Sequence, residues 1–406
     1  MRKNAKLRLG SVLVVLVAFL AACGGGSTAP SGPAAGGTAP ASAADKTPIV
    51  IGWSNSLSGG TSDYGEASKN ATEMALEDYK AKGGKYADRV KIIYYDDEAK
   101  PDKSVENINR LIQQDKAVIL IGTTNSGNAL AHIQISQQSK IPEIVSIATN
   151  TSITQKFADQ PKNYIFRTSM FDRDQVLTFV DTMVNNGFKK IAILHDTSGY
   201  GVGGKDDVVA RLKELNVTAV AIESFQVGDT DMTAQLRKAR EAGAEAVAMY
   251  ALAPELANVV KSADKIGWYP KVFGSWTLSQ PLFMKLLGKD IANKFEIYMV
   301  QSFTIDQSPA AKEFHEKLIK KYGKDEFPIA AAQSYDSAMM ALKAIDKVGP
   351  DPDKIRDAIE NQDDFVGVTS IPKKPYTKAN HEAIPREVMF LATYTKDGTI
   401  VKSNFK

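Results

Sequence analysis

Residues 117–133 read AVILIGTTNSGNALAHI: an apolar, β-branched run, a glycine-rich corner from Gly122 to Gly127, and then apolar residues at helical spacing. A strand that ends in glycine and leads into a helix N-terminus presents unpaired backbone N–H groups. Thr123, Thr124 and Ser126 add hydroxyls and Asn125 an amide. Such a corner is a general anion site, so phosphate, nucleotide and carboxylate all suit it. The rest of the chain has to choose among them.

Runs of the same kind recur on both sides. PIVIGW (48–53), VKIIYYDD (90–97), IPEIVSIA (141–148), KKIAILHD (189–196), VTAVAIESF (217–225), EAVAMYAL (245–252) and PKVFGSW (270–276) are short and almost continuously apolar. That is the signature of parallel strands buried on both faces. Helical spacing lies between them. Ala67, Ala71, Met74 and Ala75 share a face before Gly83-Gly84, residues 173–186 offer Val176, Phe179, Val180, Met183 and Val184, and Val208, Val209, Leu212 and Leu215 mark another helix. Strand and helix alternate through residue 276, and the pattern restarts after YIFRTS (164–169), which predicts an α/β protein of two doubly wound, three-layer units. Strand count alone also admits a barrel. Helices continue through SPAAKEFHEKLIKKYG (308–323), IAAAQSYDSAMMALKAIDKVG (329–349) and PDKIRDAIE (352–360), and REVMFLATYTKDGTIVK (386–402) reads as a closing hairpin turning at Asp397-Gly398. In open α/β sheets ligands bind beyond the carboxyl ends of the strands, so two facing units predict a cleft.

The N-terminus assigns a compartment. Arg2, Lys3, Lys6 and Arg8 precede the apolar run SVLVVLVAFLAA (11–22), which is too short for a membrane span of about 20 residues and fits an export signal. The run ends at Cys23, the only cysteine of the chain. LAAC resembles a lipobox, which implies lipidation of Cys23 as the new N-terminus after removal of residues 1–22. Residues 23–47 are small, polar and rich in glycine and proline, a flexible tether with a reach of roughly 25–30 Å. Removing the signal takes away four basic groups and no acidic ones, so the balance moves from 50 minus 47 to 46 minus 47. The mature charge of −1 leaves no basic footprint for nucleic acid.

Gly199, Gly201 and Gly204 in SGYGVGGKDD satisfy G-x-G-x-x-G, with Glu223 ending the next strand. A dinucleotide is disfavoured, because His195–Ser198 separate strand from glycines, Asp206 and Asp207 open the helix where pyrophosphate would sit, and an exported protein lacks a cofactor supply. These glycines are then expected to ease a turn, with Tyr200 free to face the cleft. The histidines at 132, 195, 315 and 381 have no metal-ligand spacing, and no G-x-S-x-G elbow surrounds Ser126. No enzyme activity, cofactor or metal is therefore expected. Asp96, Asp97 and Glu98 read as a solvated loop before a helix capped near Asp102.

The order of motifs carries a resemblance. IVIGWSNSLSGGTSDYGEASKNATEMALEDYKAKGG (49–84), the stretch from VKIIYYDDEAKPDKS to TTNSGNALA (90–131), IPEIVSIATNTSIT (141–154), FRTSMFDRDQ (166–175), SGYGVGG (198–204), SYDSAMMALKAI (334–345) and KIRDAIE (354–360) together resemble the leucine/isoleucine/valine-type periplasmic binding proteins of ABC importers, over about residues 48–400. The resemblance implies two lobes joined by three hinge strands, here residues 48–167 with 299–384 and residues 168–298 with 385–406. It implies a small-molecule ligand (an amino acid, amide or organic acid), permease and ATPase partners, and a membrane reached through the lipid anchor; a sensor signalling to a membrane receptor is the alternative. Matching positions place the ligand carboxylate at Ser126 and Thr149. They put Tyr64 in an aromatic wall, Thr124, Asn125, Ile147 and Ala148 beside the grip, and Leu252 and Trp276 opposite, with Tyr200. Where the family sets a glutamate against the ligand ammonium this chain has Trp276, and an unpaired buried ammonium costs several kcal/mol. Either another acid such as Asp172 or Asp196 serves, or the ligand has no ammonium there. Trp276, joined by Trp53, could cover a ring or apolar chain or simply pack a core.

Overall fold

The twelve strands are β1 (Ile49–Asn55), β2 (Val90–Asp96), β3 (Ala117–Gly122), β4 (Glu143–Val145), β5 (Ile165–Arg167), β6 (Ile191–Asp196), β7 (Ala221–Phe225), β8 (Ala246–Tyr250), β9 (Lys271–Gly274), β10 (Ile297–Gln301), β11 (Phe390–Tyr394) and β12 (Ile400–Lys402), in a computed structural model that describes residues 46–324 and 327–405. The export signal, Cys23 and the tether up to residue 45 lie outside the described residues. One sheet has the order β2-β1-β3-β4-β5 and is parallel throughout. The other runs β12-β11-β10-β9-β8-β6-β7, parallel from β7 to β10 and antiparallel through β11 and β12. Each parallel part therefore repeats the 2-1-3-4-5 order, with its topological switch between β1 and β3 or between β6 and β8. Two separate open sheets exclude the barrel.

The eight strand-like runs each form a strand, and the hairpin turns at Gly398 with φ 89°. Two strands had no clear signal. β5 covers three residues inside YIFRTS, and β10 follows Asn293, Lys294 and Glu296, which break the apolar run of NKFEIYMVQ. The helix predicted from residue 173 spans Asp172–Asn185, and the one through Val208 spans Gly199–Glu214. There Val208 and Leu212 are buried, whereas Val209 is 36% exposed and Leu215 lies just past the last turn. One residue is a 100° rotation on a helix, so Val209 cannot share the face of Val208. The helix Pro101–Gln113 takes Lys100 at its N-cap and Pro101 at N1, leaving Asp102 in the first turn without a capping bond.

The GYGVGG glycines correct the expectation of a turn, since all lie inside the helix Gly199–Glu214. Close approach explains them: a Cβ at Gly204 would fall 2.0 Å from Cδ1 of Tyr250, and one at Gly203 would fall 1.9 Å from Nδ2 of Asn150. Helix Ser62–Ala81 lays Ala71, Met74 and Ala75 against the alanine-rich face of helix Pro328–Val348, which also covers β3 and β4. The chain thus crosses between the sheets three times: after β5, after β10, and again before β11.

At the first crossing stands Arg167, fully buried at the end of β5. Its Nε donates to Glu382 Oε2 at 2.7 Å and its Nη2 to Glu382 Oε1 at 2.9 Å. Nη1 donates to the carbonyls of Asn150 at 2.9 Å and Ala148 at 3.4 Å. Main-chain bonds to His381 and Ala383 pin the same strand to the segment that leads into β11. A buried bidentate pair of this kind leaves an uncompensated charge when one partner is removed. Glu382→Leu is expected to destabilise the protein by about 3–5 kcal/mol, read as a lower urea midpoint with an unchanged slope.

Candidate functional site

The carboxyl ends of the two parallel sheets face a common narrow cavity. Tyr64, Thr124, Asn125, Ser126, Ile147, Ala148, Thr149, Tyr200, Leu252 and Trp276 all line it, so the structure brings together the ten ligand positions matched from the family, though not Trp53. Thr61 and Thr277 complete the lining and were missed. Thr277 adjoins Trp276 in GSWTLS, and Thr61 lies one turn before Tyr64, so proximity to a recognised residue was the available signal. None of the twelve lining residues carries a formal charge.

Ser126 opens the helix Ser126–Ser139, and the N-cap Asn125 accepts from Gly127 N–H at 2.7 Å. That bond occupies the Asn125 side chain as a cap. The Ser126 hydroxyl accepts the backbone N–H of Asn150 at 3.2 Å, which locks the corner after β3 to the segment after β4 that carries Thr149. Behind the corner, Thr124 Oγ1 lies 2.6 Å from Ser56 Oγ, Ser56 donates to Asp97 Oδ1 at 2.6 Å, and Thr123 donates to Asp97 Oδ2 at 2.8 Å. Asp97 is fully buried, which overturns its reading as part of a solvated loop. Two hydroxyls and the Ala99 N–H at 3.0 Å satisfy its carboxylate.

The opposite wall is aromatic. Tyr64 meets Trp276 edge-on at 5.2 Å, and Phe327 packs on both, at 4.7 Å from Tyr64 and 5.8 Å from Trp276. Tyr200 OH pairs with Thr277 Oγ1 at 2.6 Å and also with Ser275 Oγ. Burial raises the Tyr64 and Tyr200 phenols well above their usual range, so both remain neutral. Trp53 is not part of this wall: it is fully buried on β1, edge-on to Tyr94 at 5.1 Å, with Nε1 donating to Ser68 at 3.3 Å. A second hollow of similar volume beyond Phe327, lined by Asp63, Glu66, Asn70 and Lys324 among others, contains neither the helix N-terminus nor the hydroxyl corner.

The two acids weighed as ammonium partners differ sharply. Asp196 spends both oxygens at the end of β6, on Ser198 N–H at 2.9 Å and hydroxyl and on Leu252 N–H at 2.8 Å. Asp172, fully buried behind Thr149, receives Gln175 Nε2 at 3.0 Å and Tyr250 OH at 3.1 Å on Oδ1, while Oδ2 has no partner among the described residues. Burial pushes its carboxyl up to about 7; the Asp207 charge adds to this, and the Thr149 hydroxyl, the Arg167 charge and the Tyr250 hydroxyl pull the other way. Of the histidines, His132 sits buried between Ser104 at 2.8 Å and Glu143 at 2.7 Å, and His195 and His381 bond backbone carbonyls at 2.8 Å. Among the described residues no cluster of three or more His, Cys, Asp or Glu side chains could hold a metal.

A model of the periplasmic binding protein family matches residues 48–399. An amino acid binding protein of Pseudomonas aeruginosa is 30% identical over 220 residues, 54% of this chain and only 58% of that protein's length. Leu/Ile/Val-binding protein homolog 7 of Brucella suis is 25% identical over 351 residues, 82% of this chain and 85% of its own. Among solved structures, a type 1 periplasmic binding protein from Bordetella pertussis superposes with a TM-score of 0.80 at 25% identity, covering 88% of this chain and 99% of that one.

The folded-state pKa of Asp172 lies above that of a free aspartate, so its neutral form favours the fold. That contribution is complete below about pH 4 and is lost as pH rises through about 7. Asp172→Asn is neutral throughout, so its urea midpoint should gain on the wild type between about pH 4 and pH 8. A constant difference across that range would contradict the burial of this group.

Proposed function

The chain belongs to the periplasmic binding protein family, whose members bind solutes and are not enzymes, and we propose that it is an extracytoplasmic lipoprotein that captures a small neutral amino acid or a close amide or carboxylate relative for an ABC importer. The observation that carries this reading is the uncharged cavity between two sets of strand ends, with a serine-led helix N-terminus on one side and an aromatic wall on the other.

In this reading Ser126, Thr149 and the free N–H groups of helix Ser126–Ser139 hold the carboxylate, since anions are favoured at a helix N-terminus. The unpartnered Oδ2 of Asp172 takes the ammonium. Tyr64, Ile147, Leu252 and Trp276 enclose the side chain, and the absence of a charged lining residue disfavours acidic and basic side chains, which would be desolvated without a partner. The lobes are residues 48–167 with 299–384 and residues 168–298 with 385–406. Asn150 Nδ2 bonding Gly199 O at 2.8 Å and Thr151 Oγ1 bonding Asp207 at 2.7 Å support a closed form that a bound ligand would favour by touching both sides. Cys23 tethers the body to the membrane.

Calorimetry on the purified protein with L-leucine, L-isoleucine, L-valine, L-glutamate and isobutyramide tests the ligand class. The branched neutral amino acids should bind and glutamate should not. Ser126→Ala should weaken binding about ten- to a hundredfold, the worth of one charge-assisted hydrogen bond. Binding of isobutyramide with no response to any amino acid would displace the ammonium assignment, and silence from all five would remove small-solute capture. In cells, deletion should abolish uptake of the labelled ligand; preserved uptake with a lost transcriptional response would favour the sensor instead.

A further inference from the structure

FDRDQ at 171–175 contributes two buried polar side chains, and only Asp172 has so far been given a task. Asp172 opens the helix Asp172–Asn185, and Gln175, three residues on, shares its face. Both are fully buried. The Gln175 carboxamide is used at both ends: Nε2 donates to Asp172 Oδ1 at 3.0 Å, and Oε1 accepts the backbone N–H of Trp276 at 3.0 Å. Its orientation is dictated by these neighbours, because a flipped amide would set carbonyl against carboxylate and NH₂ against N–H. The Asp172 backbone N–H in turn donates to the Thr149 carbonyl at 3.0 Å. An unbroken polar run thus leads from Thr149, beyond β4, through Asp172 and Gln175 to Trp276, beyond β9. Both ends of that run line the cavity.

We infer that Gln175 is a positioning residue for the binding site, holding the Trp276 wall in place through its main chain and fixing the Asp172 carboxylate by Oδ1 so that Oδ2 is left over. The Trp276 N–H lies in a four-residue 3-10 turn, Trp276–Ser279, too short to anchor itself. A side chain reaching in from another helix supplies its acceptor. With Oδ1 of Asp172 occupied by Gln175 and Tyr250, only Oδ2 remains for an incoming donor. The second half of this inference rests on the amino-acid reading above, whereas the wall-holding half does not.

The chain has three tryptophans, so labelling with 5-fluorotryptophan gives three ¹⁹F resonances, and Trp276→Phe assigns one of them. In ligand-free protein, Gln175→Met should shift and broaden the Trp276 resonance while those of Trp53 and Trp268 hold. Gln175→Glu shares a proton with the adjacent buried Asp172, so it keeps both acceptor and donor and should leave the Trp276 resonance near its wild-type position. With L-leucine as probe, Gln175→Met should lose about tenfold in affinity, the worth of one net hydrogen bond to an ionised group. An unmoved Trp276 resonance in Gln175→Met, or an equal displacement in Gln175→Glu, overturns the inference. Should the wild type fail to bind L-leucine, the ligand reading falls and the ligand-free spectra still decide the role of Gln175.

Discussion

The guanidinium of Arg167 is the constraint on which the site depends. It is fully buried where the chain first leaves the five-stranded sheet, and burying a charge is tolerable only when every donor is used. Glu382 supplies the countercharge from a segment more than two hundred residues later, so one pair ties the first crossing to the third. The same group holds the carbonyls of Ala148 and Asn150. These flank Thr149, and the cavity floor is thereby fixed by the element that joins the two sheets.

From that floor the polar groups are arranged in depth. Asp97, Ser56 and Thr123 brace the corner at Thr124 from behind. Asp172 and Gln175 brace the far side, and the lining itself is neutral. Charges set one layer back can act on a ligand without meeting one another across an empty cleft, where unpaired desolvated charges would be costly. Tyr64 and Tyr200, kept neutral by burial, add donors and apolar surface without adding charge.

Much of this was legible in the chain. Continuous β-branched runs gave away buried parallel strands because both faces of such strands meet helices. The ten lining positions came from matching this chain's motifs to the family it resembles, and they lie at strand ends, where ligands bind in open α/β sheets. What was misread depended on distant neighbours. GYGVGG looks like a turn, yet its glycines are helical and exist to let Asn150 and Tyr250 approach. YYDDEA looks solvated, yet Asp97 is enclosed by hydroxyls from Ser56 and Thr123. Trp53 and Trp276 are the same residue type beside similar strands, and only their surroundings make one a core residue and the other a wall.

By itself the sequence determined the alternation of elements, the two-unit α/β plan, the membership implied by its motifs and the positions that meet in the cleft. The alternation and the plan rest on local periodicity, whereas the membership and the cleft positions rest on the resemblance that the ordered motifs carry. Tertiary structure alone decided which acid keeps a free oxygen. Asp172 and Asp196 were both candidates in the sequence, but Asp196 is consumed by Ser198 and Leu252 while Oδ2 of Asp172 is left over. Hydrogen-bond supply and burial are set by residues far away in the chain, so no local pattern records them.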